Sequence, residues 1–174
     1  MKKAFKSIGT DVIIHNTVIF KQPQLVELKN HILINAFTYC STQLKVGNYV
    51  EIAPHSCIIG GKDSLLILND FSFIAAGSNI ICGSEDYTGV GFVGATIPKK
   101  YRKVILSTIT FKKFSGCGVN CCIMPGVTLA EGSVLGANSL LLKDTEEWGI
   151  YVGSPAKKIG IRNKENIIKY ANKL

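Results

Sequence analysis

The most regular feature of the sequence is an apolar residue at every sixth position in its second half. The series begins at Ile105 and reaches Leu141 without a polar member. The residue four places after each of these is small or β-branched, from Ile109 to Thr145. A helix needs apolar residues at a spacing of about 3.6, and glycine and β-branched residues oppose it. A period of six instead predicts a parallel β-helix, in which three hexads form one triangular coil and the coils stack.

The same period appears in the first half of the chain, where Ile34, Cys40, Val46, Ile52 and Ile58 follow one another at intervals of six. After Ile58 the rhythm slips. The pattern predicts that it resumes with Ile67 and Phe73 as interior residues, and that residues 60–64 (GGKDS) form a bulged corner.

The two ends of the chain depart from the hexads. Residues 8–33 contain strand-like runs with poor hexads, which predicts an atypical first coil that caps the stack. After Leu141 a turn is expected at Gly153–Pro155, followed by a short helix with Asn163 as its N-cap. We therefore predict one all-β domain over 1–174. It would consist of a capping coil over 1–33, about five coils over 34–145 and a C-terminal turn and α-helix over 146–174.

One long stretch inside the repeat region carries no hexads at all. Residues 81–103 read ICGSEDYTGVGFVGATIPKKYRK, and the rhythm continues on both sides of them. The sequence predicts a loop over about 83–104 that protrudes from one corner of the β-helix. Because loops longer than about 12–15 residues in a compact domain are usually functional, we expect this loop to belong to the active or binding site.

The charge of the chain suggests an anionic partner. There are 20 Lys and Arg residues against 12 Asp and Glu residues, which gives a net charge of +8. The basic residues cluster around residues 99–103 and 157–164. No recognition helix, RNA-binding aromatic motif or zinc finger supports nucleic acid, which leaves an anionic lipid, a phosphorylated small molecule or a simply solvated basic surface.

Cysteine usage and hydropathy suggest a cytoplasmic protein. The six cysteines form no C-x-x-C motif and are expected to be reduced, buried residues. The N-terminus lacks the apolar segment of a signal peptide, and no run of about 18 apolar residues predicts a membrane span. The three histidines lie at positions 15, 31 and 55, too far apart for the zinc site of γ-type carbonic anhydrases, so no metal is expected.

Two segments near the C-terminus resemble a known family. The run CGVNCCIMPGVTLAEGSVLGANSLLLKD (117–144), followed by WGIYVGSPAKKI (148–159), is similar to the hexapeptide-repeat acyltransferases. Closest in appearance are the galactoside/maltose acetyltransferases and the O-acetyltransferases of bacterial surface-polysaccharide gene clusters. The likeness covers roughly residues 34–160, and the pairing of PGVT with a downstream GSPAKKI is its most specific part.

The resemblance implies properties that the spacing does not. It implies a left-handed β-helix and a homotrimer of parallel prisms with active sites between neighbouring chains. It also implies acetyl-CoA as co-substrate, bound along one prism, and a sugar, nucleotide sugar or glycan as acceptor near the protruding loop. The expected reaction is acetylation of a hydroxyl or an amine in surface-polysaccharide biosynthesis. A non-catalytic scaffold and an antibiotic acetyltransferase are the alternatives.

The resemblance also implies where CoA binds. Its diphosphate and 3′-phosphate need cations and free backbone N–H groups. Small corner residues would leave room for the pantetheine arm, and Trp148 would pack against the cofactor or close the last coil. The expected cofactor-binding residues are Gly136, Ala137, Trp148, Gly153, Ser154, Pro155, Lys157, Lys158 and Arg162.

The general base is an open question, because the protruding loop contains no histidine, whereas galactoside acetyltransferases carry one there. Three hypotheses remain. Glu85 or Asp86 accepts the proton, His55 does so across a subunit interface, or no side-chain base is needed because the acceptor is a neutral amine. Asp86 could also simply cap the first turn of the loop.

Three further residues are candidate contacts for the acceptor. Tyr87 and Tyr101 in the loop could stack on a sugar ring, or they could pack the loop down against the prism. Asn35 in an early coil could reach an acceptor hydroxyl.

Overall fold

Each short strand of this chain pairs in parallel with the strand one coil further on, so that three sheets form the faces of a prism. The computed structural model describes residues 4–174. Residues 1–3, which the sequence prediction assigned to the capping coil, lie outside the described residues. The left-handed parallel β-helix and its short C-terminal helix are confirmed.

The strands are distributed over the three faces and a separate hairpin. Face 1 contains β1 (Ser7–Ile8), β4 (Val26–Leu28), β7 (Gln43–Val46), β10 (Leu65–Leu68), β15 (Thr108–Phe111) and β18 (Thr128–Leu129). Face 2 contains β2 (Val12–Ile14), β5 (Ile32–Ile34), β8 (Val50–Ile52), β11 (Phe73–Ile74), β16 (Gly116–Cys117), β19 (Val134–Leu135), β21 (Gly149–Gly153) and β22 (Ala156–Ile161). Face 3 contains β3 (Ile19–Phe20), β6 (Tyr39–Cys40), β9 (Cys57–Ile59), β12 (Asn79–Ile81), β17 (Cys122–Ile123) and β20 (Leu140–Leu141). The hairpin consists of β13 (Gly83–Glu85) and β14 (Val104–Leu106).

The interior is a set of apolar ladders, because every hexad directs one large residue inward and stacks it on its counterpart in the next coil. These side chains are almost fully buried from the second coil onward. The hexads predicted from Ile34 to Ile58 and from Phe111 to Leu141 are confirmed by this burial. The inward ladder residues are Leu28, Ile34, Cys40, Val46, Ile52, Ile58, Leu68, Ile74, Ile80, Phe111, Cys117, Ile123, Leu129, Leu135 and Leu141.

Three positions in the predicted repeat were wrong. The fourth coil places Leu68 and Ile74 inward, one residue beyond the expected Ile67 and Phe73, which are only half-buried. The bulged corner adds residues between Ile58 and the next inward residue, and the period of six does not predict how many. Ile105 is exposed because it belongs to β14 rather than to a coil.

The stack has about seven turns, whereas the sequence predicted one capping coil and about five further coils. The difference comes from the first forty residues, where β1 pairs with β4 and β2 with β5 in the same parallel manner as later strands. The 3₁₀ turn at Pro23–Leu25 lengthens the step between these coils and hides the period in the sequence.

The corner between faces 1 and 2 carries a column of stacked rings, which we call the aromatic corner. Its members have left-handed backbone conformation, with φ between +55° and +62°. Successive ring centroids lie 4.5, 4.9, 5.3 and 6.0 Å apart. Gly132 occupies the same corner in the coil before the last ring, where a Cβ atom would lie 2.3 Å from that ring. The rings belong to His31, Tyr49, Phe71, Phe114 and Trp148.

The chain ends in an antiparallel hairpin and a helix. β21 pairs with β22, and α1 covers Glu165–Ala171. The N-cap is Lys164 and not the predicted Asn163, although the Glu165 N–H donates to Asn163 Oδ1 at 3.0 Å just ahead of the helix. Helix α1 buries none of its residues fully. Within residues 4–174 no helix is long and apolar enough to cross a membrane.

All six cysteines are free thiols, and four of them are buried. Burial raises the pKa of Cys40 to about 11 and that of Cys82 to about 12. These two thiols therefore stay protonated at neutral pH and act as small apolar residues of the interior.

Candidate active site

The protruding segment leaves the prism at the corner between faces 3 and 1, which we call the hairpin corner (residues 60–64 and 83–107). Strands β13 and β14 lead the chain out and back, and the Ser107 N–H donates to Cys82 O at 2.9 Å where it returns. The predicted bulge lies directly beside this exit. A Cβ atom on Gly83 would come within 2.8 Å of Gly60 Cα, so only glycine allows the two backbones to approach this closely.

Glu85 lies at the base of this hairpin in an ion pair with Arg102. The Arg102 Nε–H donates to Glu85 Oε1 at 3.0 Å, and Nη2 donates to the same oxygen. The two side chains are only 15% and 16% exposed. Glu85 Oε2 is shielded and has no hydrogen-bond partner within the described part of the chain. Glu85 is therefore held in place by Arg102 rather than free to move.

Asp86, the second acid of the loop, closes a local turn. Its Oδ1 accepts hydrogen bonds from the Thr88 N–H at 2.8 Å and from the Thr88 hydroxyl at 2.6 Å. These bonds hold the pKa of the Asp86 carboxyl below its ordinary value, the hydroxyl bond being the larger cause. A carboxylate with a lowered pKa is a weaker base, so this geometry matches the capping role rather than proton transfer.

A cleft of about 490 Å³ opens on the loop. We call it the loop cleft. It combines glycine backbone, two aromatic rings and three cationic side chains, and none of the described residues in its wall is acidic. Tyr101, one of the expected acceptor contacts, lies here, whereas Tyr87 is exposed outside it. The lining residues are Gly89, Val90, Gly91, Phe92, Lys100, Tyr101, Arg102 and Lys103.

The structure places His55 away from the two loop acids. It lies at the corner between faces 2 and 3, with φ of +59°, and its ring stacks on Phe37 at 5.0 Å. His55 is exposed and lines neither the loop cleft nor the other clefts described in residues 4–174. Within one chain, then, His55 and Glu85 are presented at different corners. Asn35, near the His55 corner, donates to Glu51 Oε1 at 3.1 Å through its amide.

The expected CoA turn is exposed at the C-terminal end of the prism. Gly153, Ser154 and Pro155 connect β21 to β22, and the Gly153 N–H donates to Ser139 Oγ at 3.0 Å. Gly136 donates its N–H to Tyr151 O, and a Cβ atom there would lie 2.6 Å from Val152. Ala137, next to it, is exposed.

The basic residues after this turn differ in what they contact. Lys157 is exposed and has no ion-pair partner among residues 4–174. Lys158 donates to Glu146 at 2.6 Å, and this bond raises the pKa of the lysine. Both lysines thus present charge to solvent beside the turn.

Arg162 contacts the aromatic corner, and Trp148 is its last ring. The Arg162 Nη1 donates to Phe114 O at 2.7 Å and to Gly132 O at 3.2 Å, and burial lowers the pKa of the guanidinium. Trp148 is only 8% exposed and covers Gly132. Its position is that of a side chain that closes the last coil.

Sequence reasoning passed over Arg102. It was visible only as one member of a basic cluster, and the pairing with Glu85 depends on a hairpin register that the loop sequence does not encode in any periodic way. Among residues 4–174 no group of three or more His, Cys, Asp or Glu side chains could hold a metal ion.

Comparison with known proteins gives matches along nearly the whole chain. A dTDP-4-amino-4,6-dideoxy-D-glucose acyltransferase of Escherichia coli is 30% identical over 165 residues, which cover 92% of this chain and 84% of that protein. A probable macrolide acetyltransferase of Lysinibacillus sphaericus is 33% identical over 140 residues, covering 72% and 74%. No family model matches the chain.

Among solved structures, AntD, an N-acyltransferase from Bacillus cereus, superposes with a TM-score of 0.94 at 29% identity, covering 99% of this chain and 90% of that one. That structure contains dTDP and 3-hydroxybutyryl-CoA. A variant of AntD, at the same TM-score, contains dTDP-4-amino-4,6-dideoxyglucose and CoA. A hexapeptide-repeat acetyltransferase of Vibrio cholerae shares the fold at 15% identity and a TM-score of 0.66.

Proposed function

This chain belongs to the sugar acyltransferases built on a hexapeptide-repeat β-helix, and from that membership we propose that it acylates the amine of a nucleotide-linked amino sugar. It is an enzyme that takes an acyl group from a CoA thioester. The proposal refines the acceptor from a sugar to a dTDP-linked 4-amino-4,6-dideoxy sugar.

The observation that carries the proposal is the state of the two loop acids. Asp86 accepts both hydrogen bonds of its turn and Glu85 is held by Arg102, while the loop has no histidine. A hydroxyl needs a base to attack a thioester, whereas an amine in its neutral form attacks without one. A site with weak bases therefore fits an amino acceptor better than a hydroxyl acceptor.

The reaction needs few protein groups. The neutral amine attacks the thioester carbonyl, and backbone N–H groups at the coil corners stabilise the oxyanion. The carbon–sulfur bond then breaks, CoA leaves as its thiol, and the proton lost from nitrogen balances the thiolate. Alignment of the two substrates supplies most of the acceleration.

Each substrate has a surface that suits its chemistry. The loop cleft offers the rings of Tyr101 and Phe92 for a pyrimidine base, and Lys100 and Lys103 for a diphosphate. CoA binds at the C-terminal turn, with Gly136 and Ala137 along the pantetheine arm. Its phosphates meet the turn at Gly153, Ser154 and Pro155, and the charge of Lys157 and Lys158.

The active enzyme is a homotrimer in this proposal. The loop exposes large apolar side chains, with Tyr87 76%, Val90 73% and Phe92 67% exposed, and monomeric proteins rarely leave such a group uncovered. In a trimer a second chain would cover them and could bring its His55 corner towards the loop. Light scattering on the purified protein should give three times the mass of one chain.

The acceptor is tested by thiol release from acetyl-CoA and 3-hydroxybutyryl-CoA over a panel of acceptors. We expect turnover with dTDP-4-amino-4,6-dideoxyglucose, a product mass that locates the acyl group on the amine, and none with dTDP-glucose. Because one relative is a probable macrolide acetyltransferase, a macrolide belongs in the panel. Turnover with the macrolide alone would overturn the proposal.

A further inference from the structure

Arg102 lines two clefts of the hairpin corner. One is the loop cleft, and the other is a second space of about 450 Å³, which we call the corner cleft. Arg102 therefore belongs to the walls of both spaces. The residues that line the corner cleft are Gly60, Gly61, Lys62, Asp63, Lys99, Arg102, Val104 and Leu106.

The pair of Arg102 with Glu85 leaves both partners incompletely bonded. Nε and Nη2 both donate to the same oxygen, Oε1, instead of one to each carboxylate oxygen as in a bidentate fork. Within residues 4–174 the side-chain hydrogen bonds of Arg102 use Nε and Nη2 and leave Nη1 available, and the other oxygen of Glu85 is shielded without a partner. A largely buried guanidinium with an unused N–H donor is a strong ligand for an anion.

The surroundings of Arg102 favour a negatively charged ligand. Lys100 and Lys103 line the loop cleft with it, and Lys99 and Lys62 line the corner cleft. Among residues 4–174, Asp63 is the one acid that lines either cleft. The cations come from both interruptions of the repeat, which meet at one corner.

We propose that Arg102 binds the diphosphate of the acceptor nucleotide through the guanidinium edge that Glu85 leaves unused. The inference rests on the proposed function, since it assumes a nucleotide-linked acceptor. Glu85 holds the guanidinium in place and shares it with the ligand, so the two anions compete for one cation.

This competition separates binding from a merely structural role. If Arg102 only fastens the hairpin, Glu85→Gln and Arg102→Gln remove the same fastening and weaken nucleotide binding alike. If Arg102 binds the diphosphate, the two variants act in opposite directions. Glu85→Gln keeps the shape of the pair but removes the competing charge, so the nucleotide should bind at least as tightly as to the wild type.

The test is isothermal titration of the full chain with thymidine diphosphate, repeated with CoA on the same samples. Arg102→Gln should weaken thymidine diphosphate binding about 10- to 100-fold, as expected for charge-assisted hydrogen bonds. CoA binding should be unchanged. Lys169→Gln, an exposed lysine of α1, makes the same change in charge and should bind both ligands as the wild type does.

Each outcome decides between the two ideas. Unchanged thymidine diphosphate binding by Arg102→Gln would overturn the role of Arg102 and leave the acyltransferase proposal intact. Equal weakening by both variants would also overturn it. If the wild type binds CoA but no thymidine diphosphate, the nucleotide acceptor itself is wrong. Should Arg102→Gln fail to fold in a thermal melt, Arg102→Lys keeps the charge without the fork and should lose about tenfold.

Discussion

The aromatic corner and the hairpin corner belong to the same coils but follow opposite rules. At the aromatic corner a ring at almost every level continues the stack from His31 to Trp148, and Arg162 ties the last levels together through carbonyl oxygens. At the hairpin corner the hexad repeat is interrupted twice, by the bulge at residues 60–64 and by the hairpin at 83–107. The charged and aromatic residues that line the two clefts lie in these interruptions. The stack serves stability, whereas the interruption provides a binding surface.

The difference follows from what each corner must preserve. A ladder needs only that the strands on either side of a corner resume their register. The Ser107 N–H bonds to Cys82 O, so the chain rejoins the prism as if residues 83–106 were absent. A long segment can therefore change at this corner without disturbing the interior, as is usual for functional loops on rigid scaffolds.

The largest effect should come from removing the hairpin tip. Replacing residues 86–103 by a short turn should lower acyl transfer at least about 10³-fold, because the loss of substrate alignment alone can cost this much. The midpoint of thermal unfolding should change little. Activity is measured by thiol release and stability by circular dichroism.

A chain that unfolds after this excision would show that the hairpin is part of the core, and the contrast between the corners would fail. The coils described in residues 4–174 contain no second insertion of this length that could be deleted as a control. The wild type with its hairpin intact is therefore the reference.

The opposite result is expected inside the prism. Phe111→Ala removes a fully buried ring and should destabilise the fold by about 3–5 kcal/mol. Tyr101→Ala, in the exposed loop, removes a ring of similar size and should change stability by no more than about 0.5 kcal/mol. Urea denaturation of both variants gives the comparison, and equal losses would contradict it.

The same contrast explains what could be predicted from the sequence. The repeat made the fold predictable because each hexad contributes an inward side chain, as Ile123 and Leu129 do. The prediction shifted by one residue at Ile67, where the bulge changes the step length. The loop acids were identified, but Arg102 was not, because its partner is set by an antiparallel register between two irregular strands.

A moderate loss of stability is expected from a substitution of Arg162 at the aromatic corner. Arg162→Gln removes the hydrogen bonds to Phe114 O and Gly132 O and should lower the free energy of unfolding by about 1–3 kcal/mol. CoA affinity should be unchanged if the guanidinium serves the corner. Lys157→Gln, at the exposed turn, should show the reverse pattern. Weaker CoA binding by Arg162→Gln, with stability unchanged, would return this arginine to the cofactor site.

The smallest effect concerns the turn at Asp86. Thr88→Val removes the hydroxyl donor and should raise the pKa of Asp86 towards its ordinary value. Because the pKa is lowered in the folded chain, the turn stabilises the fold above the ordinary pKa of an aspartate and loses this contribution as pH falls through the folded value. Carboxyl ¹³C NMR titration measures the shift, and an unchanged titration would mean that the backbone N–H bond is sufficient.

The insertion at the hairpin corner also has a consequence for how the chain folds. Phe111 and its ladder partner Leu129 are 18 residues apart in sequence, whereas Leu68 and Phe111 are 43 apart. By loop-closure entropy the longer step costs only about 0.8 kcal/mol more. The junction of the fourth and fifth coils thus closes a longer loop at little extra cost, so hairpins of very different length can be accommodated between the same two coils.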